Sequence, residues 1–161
     1  MSDNELMLEN WRKFLSESKV GFYGTTRPFQ DFDISQTTEF GYHFGLDPKQ
    51  SRHRVQDDGH IYKVELDYSN PLQMRDVFRW SLENVLKELG EDEETIQALN
   101  MRASKNARKN YTSRRMEQNL ILADYLTKAG YDAIEYSNLG ETGGKAVILW
   151  NPSKMKIVGE I

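Results

Sequence analysis

The sequence predicts an α+β domain, on three observations. Apolar runs of strand character lie toward both ends of the chain, at 20–24, 40–46 and 60–67 and again at 132–137, 145–150 and 154–159. Between them, residues 70–129 form a region that reads as helical. Strands gathered at both ends of a helical centre do not alternate one by one with helices, which is the pattern of an α+β fold and not of a doubly wound sheet. At 161 residues the chain has the length of a single domain, 1–161, with a core of its own.

Each element follows from local pattern. Within the first eighteen residues, Leu8, Trp11 and Leu15 fall on one helical stripe with Met7 and Phe14 beside it, an amphipathic helix that needs a partner surface. Val20–Gly24 is a short strand that breaks at Thr25-Thr26-Arg27-Pro28, and the chain is then loop-rich until the strand Phe40–Leu46. The run His60–Asp67 is the clearest strand of the first half. It ends in Ser69-Asn70-Pro71, which reads as a helix start, with Asn70 as N-cap and Pro71 at the first helical position. Leu72, Val77, Trp80, Leu82, Val85, Leu86 and Leu89 then offer a buried face before Gly90. A second helix is expected over 92–101. A third starts at Thr112 or Ser113, turns Leu120, Leu122, Tyr125 and Leu126 inward, and stops at Gly130.

Composition narrows the function. There is no cysteine, which excludes disulfide frameworks, thiol catalysis and cysteine metal sites. His43, His53 and His60 lack the tight spacing of a zinc site, so no metal is expected. Gly140–Lys145 is not a phosphate-binding P-loop, and there is no G-x-S-x-G nucleophile elbow. No apolar run is long enough to span a bilayer, and Met1–Glu9 has neither the basic start nor the apolar centre of a secretory signal, so a cytoplasmic protein is expected. A net charge of −4 argues against general nucleic-acid binding. The charge is nevertheless segregated: Glu88, Glu91, Asp92, Glu93 and Glu94 form an acidic cluster, and Arg102, Lys105, Arg108, Lys109, Arg114 and Arg115 a basic one. Such a basic segment is either a solvated helix face or a docking surface for a charged macromolecule.

The last third carries the strongest candidate for chemistry. Between two apolar strands runs Asn138-Leu139-Gly140-Glu141-Thr142-Gly143-Gly144, a glycine-rich loop with one carboxylate. Glycine lets backbone come close to a ligand, and flanking strands would hold the acid.

Taken together with Phe22-Tyr23-Gly24-Thr25-Thr26, Phe32-Asp33, Gly41-Tyr42-His43-Phe44-Gly45-Leu46-Asp47-Pro48 and Asn151-Pro152-Ser153, this loop resembles the ADP-ribosyltransferase family. The order and rough spacing agree from Val20 to Ile161, and the long helical insert is similar to that of small phage-encoded transferases, including the anti-CRISPR type. In the family a first strand ends in an aromatic-histidine-glycine-threonine pattern, a second carries glycine-x-tyrosine-phenylalanine, and a late strand or its preceding loop supplies an acid. Here Tyr23 fills the histidine position, His43 the tyrosine position, and Ala146 stands two residues before Ile148 where an acid is usual. The resemblance implies split mixed and antiparallel sheets around a helical insert, NAD as substrate, and a protein target modified in the cytoplasm, of the host cell if the chain is phage-encoded.

The resemblance also assigns roles. Glu141 is the catalytic carboxylate, with Glu135 and Glu39 next in line. Tyr23, Gly24, Thr25, Arg27, Tyr42 and His43 bind NAD: Gly24 through its backbone, Tyr23 and Thr25 through hydroxyls, Arg27 on ribose or pyrophosphate, and His43 by stacking. Tyr42 and His43 alternate across a strand, so only one of the two faces the cleft. Arg108, Lys109, Arg114 and Arg115 would help to dock the target. Breaking the nicotinamide–ribose bond builds oxocarbenium character, which a fixed carboxylate stabilises more in the transition state than in the ground state. Three classes stay open at this level: a mono-ADP-ribosyltransferase, an NAD glycohydrolase, and a binding protein without catalysis on the same fold.

Overall fold

A computed structural model describes residues 2–17, 19–27, 31–34, 37–55, 58–139 and 144–161, and of residues 11–17, 53 and 54 the backbone alone. Seven strands form one mixed sheet in the order β4-β5-β6-β2-β1-β3-β7. They are β1 (Val20–Thr25), β2 (Tyr42–Gly45), β3 (His60–Leu66), β4 (Pro71–Gln73), β5 (Ala133–Ser137), β6 (Lys145–Leu149) and β7 (Met155–Glu160). Helices α1 (Asp3–Glu17) and α2 (Pro48–Val55) belong to the first half, and α3 (Leu82–Glu88), α4 (Glu93–Asn110) and α5 (Arg114–Lys128) to the centre. The α+β class read from the sequence is the one the structure has.

All neighbouring strands pair antiparallel except β4 and β5, which are parallel. The sheet is continuous, but it has a seam: β1 meets β2 through the register pair Phe22↔Gly45, whereas β1 pairs with β3 along its whole length. The sheet is therefore not split into two as expected: β1 and β2 pair and join all seven strands into one. Val64 and Leu66 of β3 share an apolar cluster with Val147 and Leu149 of β6, although the two strands are not neighbours in the sheet. The sheet therefore curls so that its two halves face one another. Gly21 makes this closure possible, since a Cβ there would lie 2.7 Å from both Leu66 and Phe44 side-chain atoms.

Two cores result, one on each side of β2, β5 and β6. The helix-side core joins Ile134 and Ile148 to Trp80, Leu82, Leu86 and Leu122. The other is aromatic and lies within the curl, with Phe32, Tyr42, Phe44, Tyr62 and Tyr68 around Val147 and Leu149. Alternation along β5 and β6 sends successive residues to opposite cores, so Ala133-Ile134 and Ala146–Leu149 are apolar runs, as segments buried on both faces must be.

The sequence reading is corrected at four further places. Ser69-Asn70-Pro71 does not start a helix: Pro71–Gln73 is the edge strand β4, and the Asp132 carboxylate accepts the Ser69 and Asn70 N–H groups at 2.8 and 2.9 Å. Proline is tolerated at the start of an edge strand because it has no N–H to pair. The helical centre thus begins at Leu82, with Ser81 as its N-cap. The helix expected over 92–101 continues to Asn110, which puts the basic segment on one long helix. Leu120 is exposed, and Ile121 takes its inward place beside Leu122 and Leu126. The fourth correction is an addition, α2, whose start is marked by Asp47-Pro48, with Asp47 Oδ1 accepting from Lys49 N–H at 2.9 Å.

Candidate functional site

Alternation along the strands decides which candidate residues meet. Register places Phe22, Gly45, Ala146 and Tyr136 in one row across the sheet, and His43, Ile148 and Ile134 in another, all on the helix side. Gly24, two residues on from Phe22, faces the same way. Tyr23 and Tyr42 point to the opposite side. Tyr23 there stands edge-on to Phe32 and Tyr42, with ring centroids 6.0 and 5.6 Å away. The structure therefore divides the residues expected to bind NAD: Gly24 and His43 share one face, and Tyr23 and Tyr42 belong to the aromatic core.

The Tyr42 hydroxyl is engaged in that core. It accepts from Asp33 N–H and donates to Asp33 C=O, both at 2.9 Å, and so ties the 31–34 segment to β2. Burial pushes this phenol up from its ordinary value; the Asp33 backbone bond partly offsets the rise, and the Asp33 and Asp31 charges add to it. Thr25 ends β1 and accepts from Arg27 N–H at 3.3 Å, and Arg27 is exposed beyond it.

On the helix side, Gly24, His43, Phe44, Gly45, Tyr136, Asn138 and Ala146 line a pocket that α2 closes with Gln50 and Ser51. α2 is held down by Ser51 Oγ, which donates to Phe22 C=O at 2.9 Å. The two glycines are what let it lie so close. A Cβ at Gly24 would sit 2.9 Å from Ser51 C=O, and one at Gly45 would sit 2.5 Å from Gln50 Oε1. The enclosed volume is about 20 Å³, room for one water molecule.

Both ring nitrogens of His43 are hydrogen-bonded. Nε2 lies 3.0 Å from Phe40 C=O and Nδ1 lies 2.9 Å from the Tyr136 hydroxyl. A carbonyl only accepts, so Nε2 carries a proton and donates to Phe40 C=O, while Nδ1 shares a hydrogen bond with the Tyr136 hydroxyl. Trp80 stands edge-on to the imidazole at 5.9 Å. The ring is thus fixed at the wall of the pocket by a strand neighbour, a loop carbonyl and a buried indole.

Glu141 lies outside the described residues. The base of its loop is described: Asn138 N–H donates to Gly144 C=O at 2.8 Å, and Leu139 N–H donates to Asp76 Oδ2 at 3.1 Å. Asp76 is buried, and its second oxygen accepts from Phe78 N–H at 2.8 Å, holding Phe78 in a left-handed conformation with φ 65°. One carboxylate thereby links the loop base to the segment that leads into Trp80. Of the alternative acids, Glu135 accepts from Gln73 at 3.2 Å, and its register partner is Val147, which points into the aromatic core away from His43. Glu39 adjoins Phe40 and lines a polar groove of about 460 Å³ with Arg79, Trp80, Arg115 and Asn119. That groove and the pocket lie on either side of Trp80.

Sequence reasoning missed Gln50, Ser51, Asp76, Tyr136 and Asn138. Asp47-Pro48 was the available signal for the first two, because it announces the helix that carries them. Nothing local marks Asp76 or Tyr136 for the site, since the contacts that bring them there, to Leu139 and His43, span 63 and 93 residues. Among the described residues, no cluster of metal-ligating side chains occurs, and no helix is long and apolar enough to cross a membrane. Arg108, Lys109, Arg114 and Arg115, which the sequence reading expects to help dock a target, are exposed at the C-terminal end of α4 and the start of α5.

No protein-family model matches the chain, and no curated protein does. Among solved structures, the chain is similar to an anti-CRISPR protein, at 12% identity and a TM-score of 0.47, over 89% of this chain and 95% of that one.

Proposed function

We propose that this chain is an NAD-dependent mono-ADP-ribosyltransferase that modifies a protein. The observation that carries the reading is convergence: Gly24 of β1, His43 of β2 and Asn138 at the base of the glycine-rich loop line one pocket, although they are far apart in sequence. In this reading Gly24 and His43 receive nicotinamide, and Glu141 stabilises the oxocarbenium character that develops on the ribose as the glycosidic bond breaks. Nicotinamide leaves with the electron pair of the broken bond, a nucleophilic atom of the acceptor side chain bonds the ribose carbon, and the proton of that atom passes to water. A pocket of about 20 Å³ requires α2 to move off Gly24 and Gly45 before the ring can enter.

The test is to incubate the protein with NAD and a cell lysate and follow both released nicotinamide and ADP-ribose attached to protein. Release with labelled protein is expected; release without label would make the chain a glycohydrolase. Glu141→Gln is expected to lower turnover at least about a hundredfold while NAD affinity falls no more than about threefold, since the carboxylate acts chiefly in the transition state. Full activity in that variant moves the acid to Glu39, the alternative on the helix side of the sheet.

A second reading, a binding protein without catalysis, is favoured by the same closure of α2 over the glycines. Calorimetry separates the two. Absence of any NAD binding supports the second.

A further inference from the structure

The first turns of helix α1 and a groove on α4 both present apolar side chains to solvent. The α1 helix is well begun: Ser2 and Glu5 form a reciprocal capping box, Ser2 N–H to Glu5 Oε2 at 2.8 Å and Glu5 N–H to Ser2 Oγ at 3.2 Å. Within its described first turns, Leu6, Met7 and Leu8 are exposed. A fifteen-residue helix draws most of its stability from packing an apolar face, so these three residues call for a surface to lie on. From Ser2 to Asn10 its charges are Asp3, Glu5 and Glu9; Arg12, Lys13 and Glu17 follow, so the helix as a whole is acidic and its first half carries most of the excess.

The surface with the matching chemistry is on α4. Gln97, Met101, Ser104 and Arg108 fall on one helical stripe and, with Asn100 and Arg114, line an open groove of about 350 Å³. Met101 is 72% exposed in it. Nearby, Tyr111 caps the end of α4 with φ 55° and is 97% exposed, a conformation and an exposure that helix stability alone does not favour. Among the described residues, Arg102, Lys105, Arg108, Lys109, Arg114 and Arg115 join no ion pair. Glu117, which follows them, is buried and accepts from Thr112 Oγ1 at 2.7 Å, so it does not neutralise this face.

We propose that α1 of a second copy occupies this groove, its leucines and Met7 against Met101 and its carboxylates facing Arg108 and Arg114. Exchanged reciprocally, the contact closes a two-fold dimer in which each protomer covers the other's exposed apolar residues. Methionine, tyrosine and arginine are side chains that interface cores favour, and the opposite charges of helix and groove set orientation and partner choice. The inference does not rest on NAD chemistry. A protein acceptor drawn to the same cations would have to displace α1.

Light scattering on the full-length chain over a dilution series tests it. The expected mass at about 100 μM is twice the 18.8 kDa of one chain, with dissociation promoted by salt. Arg108→Glu with Arg114→Glu, and separately Asp3→Arg with Glu9→Arg, should each weaken association at least about tenfold; Glu5 is left in place because it closes the capping box. Joining all four changes should restore it to within about threefold of wild type, with unchanged circular dichroism throughout. A monomer at every concentration overturns the proposal. If that monomer binds short duplex DNA and loses it on Arg108→Glu with Arg114→Glu, the face belongs to nucleic acid. Association that survives both reversals also overturns it.

Discussion

At the scale of single residues, the pocket contains an imbalance. Gln50 is 3% exposed, and its Oε1 has no hydrogen-bond partner among the described residues. A buried acceptor left unmatched costs about 1–3 kcal/mol, and a single water in the adjoining volume would recover part of that. His43, a few ångströms along the same wall, has both nitrogens satisfied. The contrast argues that Gln50 is kept for something other than stability, as is common where a fold gives up stability at a binding site. Gln50→Met, which keeps the volume and removes the polar end, is expected to leave stability unchanged or raise it by up to about 1 kcal/mol, a rise in Tm of about 2–4 °C. Under the proposed function the same variant should bind NAD several-fold more weakly. Thermal unfolding and calorimetry on one preparation check both halves; a fall in Tm of several degrees would show that Gln50 is an ordinary, satisfied core residue.

At the scale of elements, the contact of α2 with the sheet is the feature most open to test. Gly24 has an ordinary backbone conformation, so the cost of a side chain there is steric only. Gly24→Ala puts a methyl group 2.9 Å from Ser51 C=O and 3.1 Å from Val55 Cγ1, and backbone does not yield as a flexible side chain would. The expected result is a loss of about 1–3 kcal/mol with α2 displaced and the Ser51 bond to Phe22 lengthened, read by urea unfolding and by hydrogen exchange at Phe22 and its neighbours. Most of the sheet was legible from the sequence, because β3, β5, β6 and β7 are apolar runs with ordinary turn signals at their ends. The errors share a cause. Asn70-Pro71 and Asp47-Pro48 are both acceptable helix starts, and only Asp47-Pro48 begins one. What separates them is Asp132, more than sixty residues away, whose carboxylate takes the N–H groups of Ser69 and Asn70 and docks the segment beside β5. Of the candidate site, the strands that carry Gly24 and His43 were readable, while the division of Tyr23 and Tyr42 from them follows from a register that sequence alone does not give.

At the scale of the whole molecule, the two cores are not independent bodies. Ala133 and Ile134 on β5, and Val147 and Ile148 on β6, alternate between them, so loss of either core unpins strands that the other requires. The narrow β1–β2 seam is therefore bridged by packing across the curl even where backbone pairing is thin. Tyr68 offers a way to strain one core selectively. Burial, with the Glu135 and Asp132 charges behind it, pushes its hydroxyl up to about 12. An unfolded tyrosine titrates near 10, so above pH ~10 the unfolded chain releases a proton that the folded chain still holds. The unfolded state then binds fewer protons, and stability falls as pH rises from about 10 to about 12, by about 2–3 kcal/mol for this group. Tyr125, pushed up to about 12 mainly by its hydrogen bond to Glu91, acts in the same window, but it is more exposed and solvent screening reduces its share. Tyr68→Phe should therefore flatten much of the alkaline loss while leaving the contact of Lys19 with the Tyr68 backbone carbonyl in place. If the cores are one cooperative unit, alkaline unfolding followed by the ring-proton resonances of Phe32, Phe44 and Tyr62, which belong to the aromatic core, must coincide with far-ultraviolet dichroism, which reports chiefly the helices. Two separated transitions, with the aromatic signal lost first, would mean that the curled half opens on its own and that the shared strands β5 and β6 do not couple the cores.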